Sequence, residues 1–146
     1  MVKQYYSYEE LVTDTRCLCD KLEGSYDALL VVARGGMSFT HLLSQKLDIR
    51  DIELISLVSY DDTVQREKVT LNKYPKLDST KRYLIVEDIV DSGKSMQALS
   101  LWLNNAYPNL SYDVASLFYK KTASYEPKYY LHEATTWIEF FWEVDL

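Results

Sequence analysis

Short apolar runs alternate along this chain with stretches in which apolar residues recur at helical spacing. The first run, Ala28–Ala33, lies within a predicted strand over Tyr26–Ala33. Its continuous apolar character is typical of a strand that is covered on both faces. Comparable runs predict the other strands. These are Ile52–Val58, Tyr83–Val86, Tyr112–Tyr119 and a short fifth strand, Lys128–Leu131.

Three helices are predicted between the strands. Ser7 and Glu10 have the spacing of a capping box, which predicts the start of the first helix. Gly24 is a natural residue to end it. A second helix is predicted over Met37–Leu47, and a third begins at Gly93. The apolar face of the first helix consists of Leu11, Thr15, Leu18 and Leu22.

Strands that alternate with helices indicate right-handed βαβ units. With 146 residues the chain has the length of one domain. We therefore predict a single α/β domain over residues 1–146, with a mostly parallel central sheet flanked by helices. Ligands of such sheets bind beyond the carboxyl ends of the strands. Two conspicuous turns follow strands there, Arg34-Gly35-Gly36 and Asp88–Ser95.

The segment Asp61–Thr80 is polar and shows no sustained period. About 20 such residues inside a compact domain usually form a functional lid or a disordered stretch. Its basic residues are Arg66, Lys68, Lys73 and Lys76. We predict a flexible lid over residues 61–80, and a plain solvated loop is the alternative.

The turn that follows the third strand has two chemically different halves. Asp91–Ser95 offers small side chains, hydroxyls and backbone N–H groups at a helix start, and such a site binds a phosphate. Glu87 and Asp88 instead place two adjacent carboxylates at the strand end. Carboxylates repel phosphate, but they accept hydrogen bonds from sugar hydroxyls and can bind Mg²⁺. Ribose 5-phosphate, a diol next to a phosphate, satisfies both halves.

The sequence of this turn allows two other interpretations. Gly93-Lys94-Ser95 copies the end of an ATP-binding P-loop, but that motif needs glycine five residues before Gly93, where this chain has Asp88. A capped helix after an acidic strand end would explain Asp91 and Ser92. It would not explain three acids clustered after an apolar strand.

Composition narrows the possible functions. The net charge of −6 and the pI of about 4.9 argue against nucleic-acid binding, which needs a basic face. No apolar run approaches the ~20 residues that span a bilayer, and we expect a cytoplasmic protein. Cys17 and Cys19 are expected to be reduced and partly buried. Tyrosine makes up 13 of the 20 aromatic residues, which suits subunit contacts.

Glu87-Asp88-Ile89-Val90-Asp91-Ser92-Gly93 resembles the signature of the type I phosphoribosyltransferases, two acids and two apolar residues before an acid and a small turn. Lys120 and Thr136-Trp137-Ile138-Glu139, with Trp142, resemble the 6-oxopurine (xanthine–guanine) branch of that family. Further matching residues are Ser59-Tyr60-Asp61 and Gln65-Arg66-Glu67.

The resemblance implies transfer of a phosphoribosyl group from phosphoribosyl diphosphate to a purine, with Mg²⁺ required and pyrophosphate released. It implies that Glu87 and Asp88 hold the ribose hydroxyls and the metal, Asp88 chiefly. Asp91 would be the base that takes a proton from the purine. The residues implied for the 5-phosphate are Asp91, Ser92, Gly93, Lys94 and Ser95. Those implied for pyrophosphate are Arg34, Gly35 and Gly36, in a loop where the family often has a cis peptide.

For the purine, the resemblance implies that Lys120 donates to O6, that Trp137 stacks on the ring and that the backbone of Ile138 meets the ring edge. Residues 120–146 would form a hood over the base. From the residues alone, a lone lysine after a strand such as Lys120 is usually a surface residue, and the alternative for Trp137 is a core residue of a terminal strand.

We therefore expect a purine-salvage enzyme for guanine, xanthine or hypoxanthine that forms a homo-oligomer, dimer or tetramer, and binds no nucleic acid. Two alternatives stay open. One is a regulatory protein of the same fold that binds phosphoribosyl diphosphate, and the other is a phosphoribosyltransferase for another base.

Overall fold

The computed structural model describes residues 2–61 and 67–146, and it has the predicted α/β architecture. A six-stranded sheet has the order β4-β3-β2-β5-β6-β7, in which only β4 is antiparallel to its neighbour. The strands are β1 (Lys3–Tyr6), β2 (Ala28–Ala33), β3 (Ile52–Asp61), β4 (Glu67–Lys73), β5 (Arg82–Val90), β6 (Ser111–Tyr119), β7 (Tyr129–Glu133) and β8 (Trp137–Phe140).

The helices are α1 (Tyr8–Lys21), α2 (Met37–Leu47) and α3 (Lys94–Ala106). The predicted capping box is present, because the Ser7 hydroxyl accepts from Glu10 N while Glu10 accepts from Ser7 N. Helix α1 ends at Lys21. Gly24 therefore does not end the helix as predicted; it has a φ of +77° in the turn that leads to β2.

The core lies on both faces of the sheet, because successive side chains of a strand point to opposite faces. Leu29 and Leu84 pack with the buried residues of α1 and α2 on one face. Leu30 and Ile85 pack with those of α3 on the other. The central strands are thus apolar on both sides, as their sequence predicts.

Part of the segment predicted to form a flexible lid, residues 61–80, is a regular strand. Residues 67–73 form β4, an antiparallel partner of β3 in which Leu57 lies opposite Leu71. Farther on, Leu77 is buried and its N–H donates to the Tyr107 hydroxyl at 3.0 Å. The central residues of the predicted lid, 62–66 with Arg66, lie outside the described residues.

A second sheet covers the carboxyl ends of the main strands. It has two parallel strands, β1 and β8, in a register that pairs Tyr6 with Phe140. Tyr6 is buried, and its ring meets those of Phe118, Phe140 and Trp142 edge-on. We call this two-stranded sheet the hood. The hood predicted from the sequence spans residues 120–146 and lacks β1, which the structure adds.

The cysteines differ from the prediction in part, and the helices agree with the absence of a long apolar run. Both cysteines are free, but only Cys19 is partly buried, whereas Cys17 is exposed. In the described ranges, no helix combines the length and the apolar character needed to cross a bilayer.

Candidate active site

A cavity of about 370 Å³ lies between the carboxyl end of β5 and the hood. It is the kind of concave site, beyond the carboxyl ends of parallel strands, where ligands of α/β proteins bind. Its lining residues are Asp88, Ile89, Asp91, Lys120, Ala134, Thr135, Thr136, Trp137, Ile138, Phe140 and Glu143.

Glu87 and Asp88 are consecutive residues of β5, so their side chains leave opposite faces of the strand. Glu87 is buried and does not line the cavity, whereas Asp88 is half-buried and does. Burial raises the pKa of Glu87, and the neighbouring Asp88 carboxylate raises it further. Burial also raises the pKa of Asp88, although the N–H of Ile89 donates to this carboxylate at 2.7 Å. The two acids therefore have different surroundings, and of the two only Asp88 faces the cavity.

Asp91 and Lys120 form an ion pair at the rim of the cavity. Lys120 Nζ lies 3.2 Å from Asp91 Oδ1, and the two side chains are 51% and 63% exposed. Lys120 follows β6, and its N–H donates to the carbonyl of Val90 at 3.0 Å. The backbone thus holds Lys120 beside the start of the turn that contains Asp91.

The turn after β5 leads directly into α3. Gly93 is the N-cap of this helix and has a φ of +90°, a conformation that glycine adopts readily. No acidic side chain lies in the first turn of α3. Lys94 N–H donates to the Ser92 hydroxyl at 3.3 Å, which shapes the turn. The positive end of the helix dipole and the first backbone N–H groups of α3 therefore suit an anion here.

The turn after β2 packs against Asp88. The peptide bond between Ala33 and Arg34 is cis, and Gly36 is the N-cap of α2. A side chain at Gly35 would collide with the Asp88 carboxylate, and one at Gly36 would collide with the Val86 carbonyl. The two glycines therefore allow this turn to lie directly on the acidic end of β5, with the exposed Arg34 beside it.

Comparison with known protein families identifies the family of this chain. The phosphoribosyl transferase domain family matches residues 8–146. The chain belongs to this family.

Several relatives cover nearly all of this phosphoribosyltransferase. The structure of Helicobacter pylori xanthine-guanine-hypoxanthine phosphoribosyltransferase matches with a TM-score of 0.88 at 36% identity, over 98% of this chain and 95% of that one. A purine phosphoribosyltransferase from Pyrococcus horikoshii matches with a TM-score of 0.88 at 28% identity, over 100% and 97%. The xanthine-guanine phosphoribosyltransferase of Roseobacter denitrificans is 29% identical over 97% of this chain and 86% of its own length.

The cavity of this phosphoribosyltransferase unites some of the predicted site residues. It brings together Asp88, Asp91, Lys120, Trp137 and Ile138. The other candidates lie around it rather than in its lining. They are Glu87, the turn residues Arg34, Gly35 and Gly36, and the helix-start residues Ser92, Gly93, Lys94 and Ser95.

Several residues that line the cavity of this phosphoribosyltransferase were not predicted from the sequence. Thr135 and Thr136 precede β8, and Phe140 both packs in the core and lines the cavity. Glu143 lies beyond the hood, and burial together with the charges of Asp88 and Glu139 raises its pKa. Nothing in the sequence near Glu143 indicates a role in ligand binding, because only the fold brings this acid opposite Asp88.

Proposed function

We propose that this phosphoribosyltransferase moves the phosphoribosyl group of phosphoribosyl diphosphate to a 6-oxopurine, guanine, xanthine or hypoxanthine, and releases pyrophosphate. This is a reaction of purine salvage. The observation that carries the proposal is a single cavity that joins a lysine, three carboxylates and an exposed tryptophan, in a chain whose relatives are named for purine transfer.

The purine would lie between the hood and the end of β5. Trp137 is 55% exposed although it belongs to a strand, so a ring face is accessible for stacking. Lys120, a donor without acceptor capacity, suits a purine O6. An exocyclic amine, as in adenine, would leave this ammonium without an acceptor. The lysine therefore favours 6-oxopurines over adenine.

The sugar diphosphate would extend from the purine toward the two turns. Ser92, Gly93, Lys94 and Ser95 would receive the 5-phosphate at the start of α3. Asp88, with Glu87 behind it, would hold the ribose hydroxyls. Arg34, together with the backbone of Gly35 and Gly36, would bind the diphosphate that leaves.

The residues around Asp88 fit a Mg²⁺ ion that is bound mainly by water and substrate. Among the residues that the structure describes, no group of three or more His, Cys, Asp and Glu side chains is arranged to hold a metal ion. Mg²⁺ commonly keeps several waters and takes one or two carboxylates together with substrate phosphates. Asp88, a half-buried carboxylate that faces the cavity, would supply the protein ligand. The ion would neutralise charge on the departing pyrophosphate.

During the reaction a bond forms between C1 of the ribose and a purine nitrogen, and the bond from C1 to the diphosphate oxygen breaks. Asp91 would accept the proton that the purine loses, and such general-base help contributes about 10²–10⁴-fold. The remaining acceleration would come from Arg34 on the leaving group and from a cavity that keeps water away from the sugar.

A base-by-base turnover panel tests the proposal. The protein is incubated with phosphoribosyl diphosphate, Mg²⁺ and each purine, and the nucleotide product is measured. We expect turnover with at least one 6-oxopurine and little with adenine. Absence of product from every 6-oxopurine would defeat the proposal, and turnover with adenine, orotate or uracil would indicate another base. The homo-oligomer and the cytoplasmic location stay predictions.

A further inference from the structure

One carbonyl in the turn before α3 has two donors from the same residue. Ser124 N–H donates to the carbonyl of Ser92 at 2.9 Å, and the Ser124 hydroxyl donates to it at 3.0 Å. Ser124 lies outside the cavity lining and has no part in the roles assigned above. Its two hydrogen bonds nevertheless end on the turn that we assign to the 5-phosphate.

The direction of the Ser92 carbonyl fixes the direction of the next N–H. The carbonyl of Ser92 and the N–H of Gly93 belong to one planar trans peptide, so they point in opposite directions. When Ser124 holds the carbonyl on its own side, the Gly93 N–H points away from Ser124. A phosphate at the start of α3 needs N–H groups that already face it.

The segment that contains Ser124 is pressed against the turn. A side chain at Gly93 would lie 2.6 Å from the Ser124 hydroxyl and 2.7 Å from Tyr125 N. Glycine at position 93 therefore permits this close approach as well as the positive φ. The close packing leaves the Ser92–Gly93 peptide little freedom to rotate.

The same segment also contains the lysine assigned to the purine. Lys120 N–H donates to the carbonyl of Val90 at 3.0 Å, and Ala123 N–H donates to the carbonyl of Lys120 at 2.8 Å. The segment 120–124 is thus a tight turn that is attached to the β5–α3 connection at Val90 and at Ser92. The same turn therefore carries Lys120, which we assign to the purine, and holds the turn that we assign to the 5-phosphate.

We infer that Ser124 is a positioning residue that orients the Ser92–Gly93 peptide toward the 5-phosphate of phosphoribosyl diphosphate. The inference rests on the proposed function, because it deepens the phosphate site of that reaction. Ser124 touches no substrate. It acts through the backbone of the turn, so its loss weakens binding of the phosphoribosyl group and leaves the chemistry and the purine contact in place.

Steady-state kinetics of Ser124→Ala test the inference. This change removes one of the two donors and keeps the backbone N–H. We expect KM for phosphoribosyl diphosphate to rise about two- to tenfold, the range expected from loss of one neutral hydrogen bond. The value of kcat and KM for the purine stay within about twofold of wild type. Ser124→Thr keeps a hydroxyl and restores the wild-type KM.

Ser44→Ala is the matched control. The Ser44 hydroxyl donates to the carbonyl of His41 at 2.6 Å in α2, so this variant also loses a surface serine hydrogen bond to a carbonyl. We expect its kinetics to equal those of wild type. An unchanged KM for phosphoribosyl diphosphate in Ser124→Ala would overturn the inference. Parallel loss of kcat, both KM values and melting temperature would also overturn it, because it would indicate a structural role.

A titration with ribose 5-phosphate separates this inference from the proposed function. Calorimetry of the wild type and of Ser124→Ala measures the phosphate site without any turnover. Absence of turnover in the wild type would defeat the proposed function alone. Weaker ribose 5-phosphate binding by Ser124→Ala would support the role of Ser124 in either case, and equal binding would overturn it.

Discussion

Lys120 Nζ lies 3.2 Å from a carboxylate oxygen of Asp91. The two groups that we assign to the purine, one as donor and one as proton acceptor, thus neutralise each other. Both side chains are more than half exposed, and exposed ion pairs contribute only about 0–1 kcal/mol. Under the proposed function, a purine would replace this pair at little cost, with O6 on the lysine and a ring N–H on the carboxylate.

Asp91→Asn separates the two possible roles of this carboxylate. The amide cannot take a proton, so we expect kcat to fall about 10²–10⁴-fold. KM for phosphoribosyl diphosphate should change little, because the start of α3 and its N–H groups remain. The measurement is steady-state kinetics with each substrate varied. Equal loss of turnover and of diphosphate binding would point to a binding role.

Lys120→Ala should mainly impair the purine. We expect KM for the 6-oxopurine to rise by about tenfold or more, since a charge-assisted hydrogen bond is lost. Lys121→Ala is the control, because Lys121 is the adjacent surface lysine and pairs with Glu133 at 3.5 Å. The prediction fails if both variants raise KM for the purine to the same extent.

Asp88→Asn should change the dependence on Mg²⁺. A neutral amide binds this cation less well than a carboxylate does. We therefore expect the Mg²⁺ concentration that gives half-maximal rate to increase several-fold, and EDTA to abolish turnover in both forms. Rates are measured over a series of Mg²⁺ concentrations. An unchanged series in the variant would remove Asp88 from the metal site.

The hydroxyl of Tyr6 links the hood to α1 through a hydrogen bond. It donates to the buried Asp14 carboxylate at 2.6 Å, and His132 Nε2 contacts the same oxygen at 2.8 Å. Tyr6→Phe keeps the ring but removes one partner of Asp14. We expect the free energy of unfolding in urea to fall by about 1–3 kcal/mol. Tyr5→Phe, at a 60% exposed position of the same strand, should leave it unchanged.

Asp113 should contribute stability that depends on pH. Burial alone raises its pKa, but the hydrogen bond from Tyr26 and the charges of Lys128 and Arg82 outweigh burial and hold the pKa below its usual value. A depressed carboxyl pKa gives stability that is complete above the unfolded pKa of about 4 and decreases as the pH falls further.

Urea unfolding between pH 3 and pH 6 tests this expectation, with the wild type compared against Asp113→Asn. The variant should be less stable at pH 6, and the difference between the two proteins should shrink as the pH decreases below about 4. A difference that stays constant across this range would rule out the contribution of Asp113.

Most of the helices and strands could be predicted from patterns among residues that are neighbours in the sequence. The helix start at Ser7 and the bounds of α2 were predicted correctly, because capping residues and apolar periodicity are properties of neighbouring residues. Strand β1 was missed, because four residues carry little signal and their partner β8 lies far along the chain. Strand β4 was missed because Val69 and Leu71 are its only apolar residues, and so short an alternation within a charged segment gives no sustained period.

The candidate site likewise contains residues that could be predicted from local sequence and residues that only the fold brings together. The acids and small residues of Glu87–Ser95 stand together in the sequence, so their chemistry could be recognised from the residues. Lys120 and Trp137 attracted attention only through resemblance to a family, because nothing near them in sequence indicates a ligand. Glu143 and Ser124 could not be predicted, since their roles depend on contacts that form only in the folded chain. The functions of all these residues stay predictions.

The parallel pairing of β1 with β8 also determines when the purine pocket can form. Neighbouring strands of the main sheet lie closer together in sequence than β1 and β8, so the hood pairs the two described strands that are most distant along the chain. Contacts between residues so distant in sequence are the slowest to form. A refolding chain would thus acquire its proposed surface for the sugar phosphate before it acquires the proposed wall of the purine pocket.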